Sequence, residues 1–301
     1  MDIDSLVSEI HQSQASIAKL AAQMSDKVCK VEKSDLNLSV CAVDGGLLSH
    51  RMHGVDITVA RAAGVHFEYE NSKIKKFDHH PSKVPKPSVE LMSALDEHEA
   101  NVFRSLVRIK HEITCANELV EKYSPSILLL DGSLLPVPSD IPAKESRLYP
   151  LYQQVLSQYE KLYSSKCLFA GVIKDSRARR FSDKCSDSVL CDHLLKPGER
   201  TVEIDYSASP KKDIEKKIKF FYIKPSKSDI PLRIEVLGDV EECAKIIYSL
   251  SAISDHFAYP AILIEADLCA ALDPAYIESI EASLHSKAGL SPLRRNFRPF
   301  R

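Results

Sequence analysis

Long apolar segments, phosphate-binding glycine loops and cysteine pairs are all missing from this 301-residue sequence, and each absence removes a class of protein. No apolar run approaches the roughly 18 residues that a membrane-crossing helix needs. The longest, Ile127 to Leu130 and Cys167 to Ile173, have the length of buried strands. The opening Met1-Asp2-Ile3-Asp4 is acidic and lacks the basic and then apolar regions of a secretion leader, so an intracellular, cytoplasmic protein is expected. Neither a G-x-x-x-x-G-K loop nor a G-x-G-x-x-G fingerprint occurs among the nine glycines, which argues against nucleotide hydrolysis and dinucleotide binding. None of the eight cysteines forms a C-x-x-C pair, so reduced thiols are expected. A surplus of one charge is lacking too: 40 Lys+Arg face 42 Asp+Glu, net -2, so any nucleic-acid surface has to be local.

What is present, 44% apolar residues over 301, suffices for a large core in one domain spanning 1–301. An amphipathic helix is expected over 1–30, a core over 36–176 and the remainder of the domain over 177–301. Leu38 to Val43 reads as a strand that ends in the turn Asp44-Gly45-Gly46, with Leu47 to Met52 and Val55 to Tyr69 as further strands of an antiparallel meander. Asn71 to Pro87, rich in lysine and proline, reads as an exposed basic loop. Val89 to Tyr123 carries apolar residues at three- and four-residue steps and predicts one long helix or two stacked ones. The continuous apolar run to Leu130 predicts a strand covered on both faces and ending in Asp131-Gly132-Ser133. Ser146 to Ser164 reads as helix, Lys166 to Ile173 as a buried strand leaving through Lys174-Asp175-Ser176. Strands at Lys217 to Ile223 and Leu232 to Val236 and helices at Val240 to Ile253, Ile262 to Leu272 and Ala275 to Ser286 complete an α/β pattern.

Asp44 and Asp131 stand out because each closes an apolar strand and precedes a glycine, which lets the chain turn tightly and a ligand approach. If those strands are parallel neighbours, the two carboxylates converge at metal-ligand distance, and hard cations such as Mg²⁺ or Mn²⁺ take oxygen ligands. An Asp-Gly after a strand is otherwise simply a turn. The long helix offers Asp96, Glu97, Glu99, Glu112, Glu118 and Glu121 as a third carboxylate, and periodicity does not choose among them, although Glu112 borders the apolar face next to Ile113. Lys174, at a strand exit, suits an ammonium beside a phosphate. Asp175 is expected to point away by strand alternation. Phosphate contacts are expected from Lys75 and Lys76, from Arg177, Arg179 and Arg180, and from the tail Arg294 to Arg301, where Phe297 and Phe300 offer stacking surfaces.

The ordered set Ala42-Val43-Asp44-Gly45-Gly46, Leu129-Leu130-Asp131-Gly132-Ser133-Leu134, Val172-Ile173-Lys174-Asp175-Ser176 and Tyr259-Pro260-Ala261-Ile262-Leu263-Ile264-Glu265-Ala266 resembles the NurA nucleases of DNA-end resection. The resemblance implies an RNase H-like core and a Mn²⁺-dependent nuclease, with Mg²⁺ as the alternative ion. It further implies 5′ to 3′ exonuclease action on single- and double-stranded DNA, endonuclease action on single strands, a homodimer, and a HerA-type hexameric translocase as partner. Carried over by motif, Asp44, Glu112 and Asp131 become catalytic metal ligands, with Glu118 as the alternative helix glutamate, and Lys174 matches the family's catalytic basic residue after the fifth core strand. The family's last motif reads Ala-His where this chain has Ala266-Asp267, so Asp267 is expected to ligate in the histidine's place, with His256 as the alternative. Two bound cations would then activate water and stabilise the leaving 3′ oxygen.

Competing signals point elsewhere. A non-catalytic DNA-binding scaffold with a degenerate site would follow from the missing histidine. Asp78-His79-His80-Pro81 matches the string of the DHH phosphoesterases but lacks the Asp-x-Asp strand that should precede it, and Cys185, Cys191 and His193 lack the spacing and fourth ligand of a zinc site.

Overall fold

The computed structural model describes residues 2–206, 217–251, 254–289 and 291. Its seven helices are α1 (Ile3–Ala22), α2 (Glu97–Tyr123), α3 (Tyr149–Tyr163), α4 (Asp187–Leu194), α5 (Val240–Ser251), α6 (Ala261–Ala270) and α7 (Pro274–Ala288). The strands are β1 (Val28–Lys30), β2 (Ser39–Met52), β3 (Val55–Glu70), β4 (Lys73–His80), β5 (Ser88–Ser93), β6 (Ile127–Asp131), β7 (Leu168–Ile173), β8 (Glu199–Thr201), β9 (Ile204–Asp205), β10 (Ile218–Lys224) and β11 (Leu232–Leu237).

All eleven strands join one sheet in the order β1-β8-β10-β11-β7-β6-β2-β3-β4, with β5 added to β3 and β9 to β10. Only β2, β6 and β7 run parallel; every other pairing is antiparallel. Strand alternation divides the core into two layers. Val40 and Ala42 of β2, Ile127 and Leu129 of β6 and Ala170 and Val172 of β7 pack with α5 and α6 through Ile247, Ile262, Leu263 and Ala266. Cys41, Val43, Leu128, Leu130 and Phe169 face the other way, onto α2 and α3 through Leu106, Ile113, Ala116, Leu119 and Val155. Each fully buried aliphatic side chain contributes about 1.5–3 kcal/mol, so both faces of the central strands are firmly held. The helix α2 starts at Asp96, whose side chain accepts from the Glu99 N–H at 2.7 Å, and stops at Ser124 in the left-handed conformation before Pro125.

Four expectations need correction. Asp44-Gly45-Gly46 is no turn: β2 runs through it to Met52, because β3 pairs with β2 residue for residue from Ser39↔Glu68 to Met52↔Val55. The turn comes instead at His53-Gly54, where Gly54 takes φ +90°. The expected basic loop holds the edge strand β4, its lysines lying on an open surface that needs no apolar alternation. Residues 89–93 are strand rather than helix, with Leu91↔Ile57 and Val89↔Val59 pairing β5 to β3, so the long helix begins only at Glu97. The N-terminal helix likewise ends at Ala22, short of Lys30. The basic tail Arg294 to Arg301 lies outside the described residues.

Candidate metal centre

The pairing of β2 with β6 ends at Val43↔Leu130, which sets Asp44 beside Asp131, and Asp131 in turn pairs with Val172 of β7. The parity that sends Ala42 and Leu129 toward α6 sends Asp44 and Asp131 the same way. From α6, the Asp267 carboxylate stands beside Asp44 and opposes its ionisation. Three carboxylates from three elements therefore line the α6 face, where the parallel pairing of β2 with β6 stops.

Gly45 points to the opposite face, and Glu112 of α2 fills the space its missing side chain leaves: a Cβ there would stand 2.5 Å from Glu112 Oε1. Of the acidic residues considered on the long helix, the others are taken. Asp96 caps α2, Glu97 pairs with Arg51, Glu99 with Arg147, Glu118 with His80 and Glu121 with Lys161. Glu112 alone among them borders the aspartates.

The electrostatics of this cluster are strained. Burial first, then the negative charge of Asp131, with Asp267 reinforcing, pushes Asp44 up to about 7, against the pull of the Gly45 N–H that donates to its Oδ1 at 2.7 Å. Burial also pushes Glu112 up to about 8, despite Arg108, whose Nη1 donates to Oε1 at 3.0 Å. Lys174 Nζ donates to Asp131 Oδ2 at 2.8 Å and sits 4.3 Å from the centre of the Tyr259 ring. Asp175 is exposed, as alternation required. When ionised together, the four carboxylates outnumber Lys174 and Arg108 and leave a negative surplus, with Asp44 buried, Glu112 and Asp131 half-buried and Asp267 exposed. A divalent cation with oxygen ligands balances that surplus, and the donor set suits Mn²⁺ or Mg²⁺ better than a softer ion.

Supporting contacts absent from the sequence reading hold these groups in place. Arg61 of β3 donates Nε to Ala270 O at 3.0 Å and Nη2 to Ala271 O, capping the carbonyl end of α6. Beside it, Gly46 lies against the Ala270 carbonyl so closely that any Cβ would collide with it. Glu235, 2% exposed on β11, accepts from Ser133 Oγ at 2.7 Å and from the Leu134 N–H at 3.0 Å, pinning the turn after Asp131. Tyr259 also belongs to the site: its hydroxyl donates to Val172 O at 3.3 Å, and burial together with Asp131 pushes its phenol well up. An arginine opposite a glycine or a buried glutamate has no sequence pattern of its own.

Other expected residues lie elsewhere. Glu118 is turned to His80 at 2.8 Å, and His256 is exposed in the segment before α6. Lys76 pairs in register with Glu68, which faces Ser39, five residues before Asp44 on β2, so Lys75 and Lys76 lie roughly 17 Å away along the strand. Lys75 is also engaged by Glu70 at 2.5 Å. Arg177, Arg179 and Arg180 follow Lys174 closely in a segment held by Asp187, which accepts from the backbone N–H groups of Arg180 and Phe181. The DHH string is dispersed among partners, Asp78 to Tyr123, His79 to Glu265 and His80 to Glu118, so it forms no phosphoesterase centre. Cys185 and Cys191 fall in separate apolar clusters, which removes that zinc reading.

The NurA domain family model matches residues 38–271. Among solved structures, the NurA nuclease from Sulfolobus solfataricus is similar with 18% identity and a TM-score of 0.66, covering 94% of this chain and 97% of that one. A NurA structure with manganese is similar at 12% identity and a TM-score of 0.68, covering 95% and 97%. NurA bound to dAMP and manganese is similar at 11% identity and a TM-score of 0.62, covering 91% and 93%. No curated protein matches the sequence. At these identities the structural likeness establishes the mixed α/β fold.

Proposed function

The chain belongs to the NurA family, and from that premise we propose that it is a divalent-metal-dependent deoxyribonuclease, using Mn²⁺ with Mg²⁺ as the alternative. The observation that carries this reading is the clustering of Asp44, Asp131 and Asp267 on the α6 face beside the end of the parallel pairing, with Glu112 close by over Gly45 on the other face. The manganese in NurA structures, one of them with dAMP, supports the same ion as this chain's cofactor.

Asp44, Glu112, Asp131 and Asp267 would hold the metal, which supplies an activated water and Lewis acidity toward the scissile phosphate. Lys174 holds an ammonium against Asp131, ready to meet the negative charge that grows on the phosphate oxygens. Tyr259 packs its ring on that ammonium and keeps its phenolic proton, so it orients Lys174 and remains a hydrogen-bond donor. Arg108 partly neutralises Glu112 from the α2 side. Arg177, Arg179 and Arg180, exposed and following Lys174 closely in the chain, are the nearer candidates in sequence for phosphate contacts, and Lys75 and Lys76, roughly 17 Å along the strand, the farther ones.

In finer detail, we read residues 1–301 as one nuclease domain with an RNase H-like core. Its expected activities are 5′ to 3′ exonuclease action on both DNA forms and single-strand endonuclease action, in cytoplasmic end resection as a homodimer docked to a HerA-type translocase. The scaffold reading is the weaker one if Asp267, beside Asp44, serves as an oxygen ligand where the histidine is missing. Incubating end-labelled single- and double-stranded DNA with the protein and Mn²⁺ should release short products, and Asp44→Ala should abolish them with an unchanged circular dichroism spectrum. Full activity in Asp44→Ala would sink the site assignment; inactivity of the wild type with every divalent metal tried would return the scaffold reading.

A further inference from the structure

Asp267 leaves the opposite side of α6 free for other work, and the residues there form a second group of potential ligands. Glu265 and Cys269 are four residues apart and share a face, whereas Asp267 stands roughly 200° around the helix from Glu265. On that second face Glu265 Oε1 lies 2.9 Å from His79 Nε2 of β4 and 3.8 Å from Cys269 Sγ, and the three ligand atoms all fall within 4.8 Å of one another. We propose that His79, Glu265 and Cys269 form a second metal site, selective for Zn²⁺, that ties α6 to the edge strand β4.

The geometry is that of a tetrahedral site one small adjustment short of closure. With zinc bonds of about 2.0–2.3 Å, neighbouring ligand atoms of a tetrahedron are roughly 3.3–3.7 Å apart. The nitrogen and oxygen need to part, and the sulfur and oxygen to close, by a few tenths of an ångström each, and the sulfur stands within 4.8 Å of the nitrogen, distances that side-chain torsions cover. The ligands stand on firm supports: His79 pairs in register with Val65, and the end of α6 is clamped by Arg61 and Gly46. Cys269 is buried, while His79 and Glu265 are partly open to solvent, which leaves room for water as fourth ligand. On binding, Cys269 releases its proton to solvent and the ion takes the position of the hydrogen between His79 and Glu265.

The donor set separates this site from the carboxylate centre. Imidazole and thiolate favour zinc, whereas the oxygen donors around Asp44 favour Mn²⁺ or Mg²⁺. Because one helix carries ligands to both, an ion at His79 would fix the helix that presents Asp267 to Asp44. It also gives His79 of the dispersed Asp-His-His string a chemical role.

Cobalt absorption tests this independently of nuclease activity. Chelator-treated full-length protein titrated with Co²⁺ should develop a near-ultraviolet thiolate-to-cobalt band equivalent to one site. One equivalent of Zn²⁺ should remove it, while Mn²⁺ or Mg²⁺ in excess should not. The band should persist in the double variant Asp44→Asn, Asp131→Asn and be lost in Cys269→Ser and in His79→Ala, each verified as folded by circular dichroism. No band in the wild type, or an unchanged band in Cys269→Ser, overturns the site. Loss of the band in Asp44→Asn, Asp131→Asn would likewise overturn it, by assigning the cobalt to the other centre.

Discussion

Glu112 occupies the volume that Gly45 leaves empty, its Oε1 2.5 Å and its Cγ 2.7 Å from where a Cβ would stand. Asp44 and Glu112 thereby flank the middle of β2 from opposite faces of the sheet. The glycine after Asp44 is a seat for a carboxylate from another element, inside a continuous strand.

Gly45→Ala should fold, because only the flexible end of Glu112 has to move, but the displaced carboxylate should cost on the order of 10²-fold in nuclease rate, as roughly 1 Å misplacements do. Gly46→Ala should differ in kind. Its new methyl meets the backbone carbonyl of Ala270 and should destabilise the fold by about 1–3 kcal/mol. Thermal denaturation and single-turnover rates measured on both variants separate the two effects, and a wild-type rate in Gly45→Ala would contradict the placement of Glu112.

The metal-free protein should lose stability as pH rises. Asp44 is raised from 3.8 to about 7 and Glu112 from 4.5 to about 8 in the folded chain. Below about pH 4 both are protonated folded or unfolded, so they cost nothing; between about 4 and 8 the folded chain keeps protons that the unfolded chain has released, and stability falls with pH. Calorimetry in chelator should show Tm dropping from pH 5 to pH 8, with Asp44→Asn flattening the slope. The Asn variant should also be more stable than wild type at pH 8, by on the order of 1–4 kcal/mol. A Tm that climbs across this window, equally in wild type and variant, would refute the charge crowding.

Removing the ammonium with Lys174→Met should lower the nuclease rate by about 10²-fold, the scale of deleting one preorganised donor to a developing charge. Since Lys174 is paired with Asp131 rather than with apolar core, Tm in Mn²⁺ should change little. An unaltered rate would assign Lys174 a structural role.

Exchanging Asp267 for the residue expected in its family, Asp267→His, should preserve activity with Mn²⁺ and reduce it with Mg²⁺, because imidazole suits the harder ion poorly. The ratio of Mg²⁺- to Mn²⁺-supported rates is the measurement, and an unchanged ratio would remove Asp267 from the ligand set.

Sequence alone sufficed for the groups that ride on continuous buried strands. The apolar runs before Asp44, Asp131 and Lys174 compel strands covered on both faces, and a polar residue at the end of such a run has to emerge where the parallel strands stop. Their common face follows from parity. What sequence could not decide was each matter settled between distant elements. That Glu112 lies over Gly45 and Asp267 beside Asp44, while Glu118 turns to His80 and His256 is exposed, follows from the packing of α2 and α6. The lysine-rich segment that became β4, and with it the position of His79 against Glu265, depended on β3 offering an unpaired edge. Local patterning records burial, which is a property of each element, whereas convergence is a property of their packing and leaves no periodic trace in the chain.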